Sequence, residues 1–180
     1  MARRRGEDGG LSTRHATIAT PLGDLLAVGE ADALTGLYFP AHWHPPAVGS
    51  IGAEVDADSD ALFPRVGAEL AAYFAGERTT FDLPTAASGD AFEHEVWRML
   101  REIPYGETTT YGALAETLGD RNLARRVGYA VGHNPVSIVV PCHRVVGVDG
   151  SLTGYAGGLE RKRFLLELEG AAVVAQRRLF

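Results

Sequence analysis

Between residues 16 and 39 the hydrophobic positions fall into three short clusters, 16–20, 25–28 and 34–39. Short apolar clusters bounded by turn residues predict strands. Pro21-Leu22-Gly23-Asp24, between the first two, has the composition of a tight turn, so the pattern opens with a hairpin in a small antiparallel sheet. Residues 41–60 are rich in Pro, Gly and acid and read as a long surface loop. From Leu62 the apolar period lengthens. Leu62, Val66, Leu70 and Tyr73/Phe74 share one face of a helix over 62–74. Phe81-Asp82-Leu83-Pro84 reads as a last short strand, and residues 85–89 as a linker.

Beyond residue 90 the helical period dominates. Asp90 and Glu93 form a D-x-x-E start signal, and Phe92, Val96, Leu100 and Ile103 then line one face until Pro104-Tyr105-Gly106. Thr110 caps a second helix, with Tyr111, Leu114, Ala115 and Leu118 at helical spacing and Gly119 as its stop. A third runs over 123–132. Two short helices with a tight turn between them fit a helix-turn-helix or an ordinary helical hairpin of a core. Arg121, Arg125 and Arg126 tilt the reading towards DNA. The organisation expected is a tail at 1–10, an N-terminal mixed unit at 11–86, a C-terminal unit at 87–170 and a tail at 171–180. The fold class is α+β: a small N-terminal antiparallel sheet with a helix, then a helical part carrying the helix-turn-helix and a reactive loop.

Composition narrows the function. With 46% hydrophobic and 22% charged residues over 180, the chain is an ordinary globular sequence. No apolar run approaches the roughly 20 residues of a membrane span, and the charged start lacks the apolar stretch of a secretory signal. Cys142 is the single cysteine, which excludes an internal disulfide and a cysteine-rich zinc site and points to a cytoplasmic setting. The net charge of −6 is divided unevenly: residues 121–163 carry +5 and the remainder −11, so one face can hold an anion.

The chemistry concentrates at 132–147. The apolar run Ile138-Val139-Val140 ends at Pro141, which breaks regular pairing, and Cys142 and His143 follow side by side. A lone cysteine on its own is a small buried hydrophobe. Here His143 and Arg144 adjoin it, and nearby positive charge favours the nucleophilic thiolate. His143 is either a general base or a satisfied histidine. In an extended segment neighbouring side chains point opposite ways, so a water between Cys142 and His143 is expected rather than a direct bond. His42-Trp43-His44 offers two histidines without a third ligand and reads as loop.

Pro141-Cys142-His143-Arg144-Val145 resembles the active-site signature of the O6-alkylguanine-DNA alkyltransferases, also called methylated-DNA–protein-cysteine methyltransferases. The resemblance extends from Phe92-Glu93-His94-Glu95-Val96-Trp97 through Ile103-Pro104-Tyr105-Gly106-Glu107, Asn134-Pro135 and Gly154-Tyr155-Ala156-Gly157-Gly158-Leu159 to Leu165-Leu166-Glu167-Leu168-Glu169, close to half the chain. It implies that Cys142 takes an alkyl group from guanine O6 and keeps it. His143 then deprotonates Cys142 through a water, Glu169 orients His143, Asn134 ties the helix-turn-helix to the loop, and Tyr111 contacts the flipped guanine. It also implies that Arg125 fills the gap left by the base, with Arg121 and Arg126 as competitors and Ala124 on the approaching helix. The Val145 carbonyl would read the guanine amino group, and Tyr155, Ala156, Gly157 and Leu159 would wall the pocket. No cofactor is implied. The partner is double-stranded DNA containing alkylated guanine, met in the minor groove by a monomer without an obligate protein partner or a membrane.

Three positions depart from many relatives. Arg126 and Tyr129 replace small residues on the presumed recognition helix, with Tyr129 able to clash, stack on DNA or point inward, and Ala156 stands where some relatives carry Ser. The zinc-binding cysteines of some relatives are absent, so no metal site is expected. O4-alkylthymine is a second candidate substrate. The main alternative is a protein that recognises alkylated DNA without transfer. A sensor-regulator would need an added cysteine-rich domain, and a cysteine hydrolase would turn over many times.

Overall fold

The computed structural model describes residues 12–172. The expected tail at 1–10 and most of that at 171–180 lie outside the described residues.

Strands β1 (Arg14–Ile18), β2 (Leu25–Glu30) and β3 (Ala33–Tyr38) form the expected antiparallel meander. The β1–β2 turn is built by Thr20, whose hydroxyl donates to the Gly23 carbonyl (2.7 Å) and accepts from Leu22 N–H (3.2 Å). Gly23 takes φ +102°, a region that costs a residue with a Cβ. The first strand ends at Ile18, two residues before the end of the apolar cluster, because Thr20 is committed to that turn.

The loop expected over 41–60 is not wholly irregular. Its β4 (Ala53–Glu54) pairs parallel with β1, giving the order β3-β2-β1-β4. Arg14 and Asp60 clamp the end of this excursion through two side-chain bonds of 2.5 and 2.9 Å. Both β4 residues are exposed, so no apolar alternation could have marked this strand.

Helix α1 (Phe63–Phe74) carries Pro64 in its first turn, which its ring suits, and buries Phe63, Val66, Leu70 and Tyr73. The strand expected at 81–84 is not formed. That segment instead makes one bridge, Leu34 to Thr85, with the Leu34 N–H donating to the Pro84 carbonyl. Proline cannot donate, so a longer ladder stops there.

Helix α2 (Ala91–Arg101) begins with the full capping box: Asp90 accepts from Glu93 N–H, and Glu93 accepts from Asp90 N–H. Helix α3 (Tyr111–Thr117), capped by Thr110, and helix α4 (Ala124–Gly132) follow, with a 3₁₀ turn at Arg121–Leu123 between them. Trp97 on α2 donates its indole N–H to the Ala130 carbonyl (2.8 Å), locking α4 against α2. Helix α5 (Leu159–Leu168) follows later in the chain. Two further short strands, β5 (Thr109–Thr110) and β6 (Val145–Val146), pair in parallel, so the C-terminal half is not purely helical.

One buried cluster runs through both halves. It includes Leu37 of β3, Tyr73 of α1, Trp97 and Leu100 of α2, Val136, Ile138 and Leu165 of α5. The free edge of β3 is covered by residues 135–137: Leu37 N–H donates to the Pro135 carbonyl (2.7 Å), and Ser137 N–H to the Leu37 carbonyl (3.1 Å). An edge strand left open invites pairing with other chains. Here it is used to hold the segment that leads into Cys142.

Candidate active site

The segment before Cys142 does not continue as an extended run. Ile138 adopts φ +70°, unusual for a β-branched residue, and Cys142–Arg144 forms a 3₁₀ turn. All three side chains of the turn are buried. Cys142 meets Asn134, while His143 and Arg144 both reach Glu169 at the end of α5. No hydrogen bond joins the Cys142 and His143 side chains among the described residues, and the segment is a 3₁₀ turn rather than the extended run expected.

Asn134 is nearly fully buried and spends its whole amide locally. Its oxygen accepts from Val136 N–H (3.0 Å), and its nitrogen donates to the Val140 carbonyl (2.8 Å) and to Cys142 Sγ (3.1 Å). Asn134, two residues beyond α4, therefore fixes both the backbone of the loop and the sulfur.

Glu169 collects donors from four residues in three other parts of the chain. Its carboxylate accepts from Tyr73 Oη (2.7 Å), Gly106 N–H (3.2 Å), His143 Nε2 (2.7 Å) and Arg144 Nε and Nη2 (2.9 and 3.0 Å). Burial pushes this carboxyl up, but the hydrogen bonds from His143, Arg144 and Tyr73 outweigh it and hold the group well below the usual carboxylate range. An ionised carboxylate can only accept, so His143 carries its proton on Nε2. Burial also lowers the His143 pKa, keeping the ring neutral. Nδ1 is then a free lone pair, and it has no hydrogen-bond partner among the described residues.

The structure corrects one electrostatic expectation. Positive charge beside Cys142 was expected to favour the thiolate. Instead Arg144 is neutralised by Glu169, and full burial pushes the Cys142 thiol up, against the lowering effects of the Asn134 amide and the Lys162 ammonium. The resting group is a thiol that accepts from the Asn134 amide.

A cavity of about 340 Å³ lies beside α3 and α4. Tyr111, Gly128, Gly132, Gly154, Tyr155 and Ala156 line it, together with Trp43 and His44. Burial raises the Tyr111 pKa, so its hydroxyl stays protonated; it donates to the Thr153 carbonyl (3.2 Å). Of the four residues expected as pocket wall, Tyr155 and Ala156 line this cavity. Gly157 does not: it packs under Phe39, where a Cβ would come within 2.5 Å of the ring. Leu159 opens α5 and faces solvent, and Val145 is buried with its carbonyl accepting from Lys162 (2.5 Å).

On the outer face of α4, Arg125 is exposed and has no ion pair among the described residues. Arg121 pairs with Glu116 (3.3 Å), and Arg126 lies over the Phe92 ring (3.9 Å to its centre) near Asp90. Ala124 is half-buried at the start of the helix. Tyr129 points outward and stacks on His133 (3.8 Å) rather than turning into the core.

Residues 13–87 match the 6-O-methylguanine DNA methyltransferase ribonuclease-like domain, and residues 91–171 match the 6-O-methylguanine DNA methyltransferase DNA-binding domain. The sequence is 44% identical over 174 residues to the methylated-DNA–protein-cysteine methyltransferase of Mycobacterium tuberculosis, covering 92% of this chain and 98% of that protein. The chain belongs to the methylated-DNA–protein-cysteine methyltransferase family. The methyltransferase of Methanosarcina acetivorans is 42% identical over 87% of this chain and 98% of its own. In three dimensions the chain superposes on the crystal structure of Mycobacterium tuberculosis OGT in complex with DNA with a TM-score of 0.80, 43% identity and coverage of 89% and 96%. This chain is thus a DNA-binding repair methyltransferase that moves an alkyl group to a cysteine, and it has one cysteine. Among the described residues no helix is long and apolar enough to cross a membrane.

Three members of the methyltransferase site were not read from the sequence. Tyr73 comes from α1, far from the signature, and its helical spacing marked it only as core. Arg144 was noted as charge, not as a partner of Glu169. Lys162 is fully buried and donates to the carbonyls of Val145 (2.5 Å), Thr153 (2.8 Å) and, more distantly, Gly154 (3.5 Å), bracing the two loops around the cavity. Its signal was available: it is the single lysine beside sixteen arginines.

Proposed function

We propose that this methyltransferase repairs O6-alkylguanine in duplex DNA by a single irreversible transfer to Cys142. O6 lies inside the base stack, so the nucleotide has to be flipped out before sulfur can reach the alkyl carbon. The exposed α4 enters the minor groove with Arg125 filling the vacated space, and the cavity beside Tyr111 receives the base. Phosphate contacts from the basic face supply salt-sensitive affinity.

His143 Nδ1 takes the thiol proton, directly or through a water, as the Cys142 sulfur attacks the alkyl carbon. The carbon–sulfur bond forms while the carbon–O6 bond breaks, and the electron pair leaves on guanine. Tyr111, by exchanging its bond to Thr153, donates to the departing base. Glu169 stabilises the imidazolium that results. A buried neutral thiol suits this order, because the nucleophile is charged only when a base and a substrate are both present. The thioether product is not reversed by hydrolysis, so each molecule reacts once.

The observation that carries the reading is the Glu169–His143 bond of 2.7 Å, which leaves Nδ1 as a base one residue from an Asn134-bound sulfur. The protein acts as a cytoplasmic monomer in two units, 11–86 and 87–170, with O4-alkylthymine as a secondary substrate.

The test is intact-protein mass after mixing with a duplex containing O6-methylguanine, with Cys142→Ser as control. The expected result is a stoichiometric gain of one CH₂ mapped to Cys142. Tight lesion binding with no mass gain overturns transfer and leaves a recognition protein.

A further inference from the structure

The cavity has two unlike sides. One is built by the C-terminal half, where Tyr111 and Tyr155 alternate with Gly128, Gly132 and Gly154, and nothing lies within 4 Å of where a Cβ on Gly132 would stand. The other is supplied by the loop after β3, which the sequence marked only as a two-histidine segment. There Trp43 and His44 line the cavity, and the Trp43 side chain is 62% exposed.

This loop is pinned at three consecutive residues. His42 is buried edge-on against Tyr38 (5.3 Å), and its Nδ1 lies 2.9 Å from the His44 carbonyl. Trp43 N–H donates to the Ala156 carbonyl (2.9 Å), tying the loop to the pocket wall. His44 stacks on His133 at 3.8 Å, and His133 on Tyr129 at 3.8 Å, so a column of three rings joins the loop to α4. A large aromatic group held at a cavity mouth by its own backbone, yet exposed, is preorganised to be covered by a ligand.

Resting on the transfer reading above, we propose that Trp43 is a specificity-determining residue of the pocket. Its indole packs on flat aromatic substituents at guanine O6, and His44, through the His133–Tyr129 column, positions it. The glycine-lined side leaves room for the substituent, and Trp43 supplies the face against which it stacks. The chemistry is unchanged: carbon–sulfur bond formation at the benzylic carbon, cleavage to O6, the thiol proton to His143 and the electron pair to guanine. Truncating an aromatic platform beneath a stacked base typically costs roughly five- to 100-fold, so an effect of about tenfold is expected.

The test compares single-turnover transfer from duplexes identical except for O6-methylguanine or O6-benzylguanine, followed by intact mass. For Trp43→Ala the benzyl-to-methyl rate ratio should fall about tenfold, and Trp43→Phe should restore most of it. His44→Ala, which removes the positioning stack, should lower the ratio by a smaller factor. A ratio unchanged in Trp43→Ala overturns the proposal, including the case where both rates fall together, as does a wild-type protein that accepts methyl but not benzyl. Thermal melts of each variant identify one that has failed to fold, and Trp43→Phe then carries the comparison. A wild-type protein that transfers neither group refutes the transfer reading itself, which is a separate outcome.

Discussion

Replacing Glu169 with glutamine keeps the shape of the carboxylate and removes its charge. In the wild type that charge faces Arg144 through bonds of 2.9 and 3.0 Å, with both side chains almost wholly out of solvent. The variant leaves a buried guanidinium with no anion and turns an amide NH₂ towards groups that are themselves donors, either His143 Nε2 and Tyr73 Oη or Gly106 N–H. Breaking a buried ion pair by removing one partner costs about 3–5 kcal/mol. For a chain of this size each kcal/mol moves the melting temperature by about 2–4 °C, so a fall of roughly 6–20 °C is expected. The assay is thermal and urea unfolding of Glu169→Gln, Arg144→Met and the double variant. The double variant should recover part of the loss, because no unpaired charge remains. The acid limb carries an independent signature. The folded pKa of Glu169 lies below that of the unfolded carboxyl, so its contribution is complete above about pH 4.3 and is lost as the pH falls towards the folded value. Glu169→Gln should therefore lose stability mainly at neutral pH and converge on the wild type in acid. A loss under 1 kcal/mol at neutral pH, or a double variant no better than the single one, would refute the network as described.

Tyr73→Phe removes one donor to the same carboxylate from the N-terminal half and should cost about 1.5–3 kcal/mol in urea unfolding, the range for bonds to charged groups. Asn134→Ala deprives Cys142 Sγ of its 3.1 Å donor and frees the Val140 carbonyl, so the pH profile of thiol alkylation should move upward and the protein should lose stability. Burial holds the Lys162 ammonium down at about 8 from 10.5, so between these values the unfolded chain keeps a proton that the folded chain has released. Stability should rise with pH across that window by about 3 kcal/mol, a slope absent from Lys162→Met; a flat wild-type profile would contradict the assignment. Arg125→Ala should weaken binding to lesion-containing duplex more than Arg126→Ala, whose side chain is already held on Phe92, as measured by titration at fixed salt.

Local rules reached some parts of this molecule and not others, for identifiable reasons. The capping box at Asp90 and Glu93, the Thr110 cap and the burial of Val66, Leu70 and Tyr73 depend on residues within one turn of each other, and all were legible. The Pro141-Cys142-His143-Arg144-Val145 signature, with the motifs at 92–97, 103–107, 134–135, 154–159 and 165–169 in order, carried the resemblance to the methyltransferases. What stayed hidden were partners brought together only by folding. Tyr73 and Glu169 are 96 positions apart, and Arg161 reaches the Leu22 carbonyl across 139. The exposed β4 and the single bridge at Thr85 carry no periodic signal, since pairing by backbone alone leaves no mark on side-chain type.

The sequence by itself determined most helices and the first three strands, because helix caps and apolar periods act over a few residues, and its resemblance to the methyltransferases pointed to the nucleophile and the class of chemistry. The tertiary structure decided the state of that cysteine. Burial, an amide at 3.1 Å and a neighbouring arginine already claimed by Glu169 make it a resting thiol, and these depend on distances that a linear pattern does not contain. It also decided that a loop with two histidines walls the pocket, because Trp43 reaches Ala156 only when the two halves share one core.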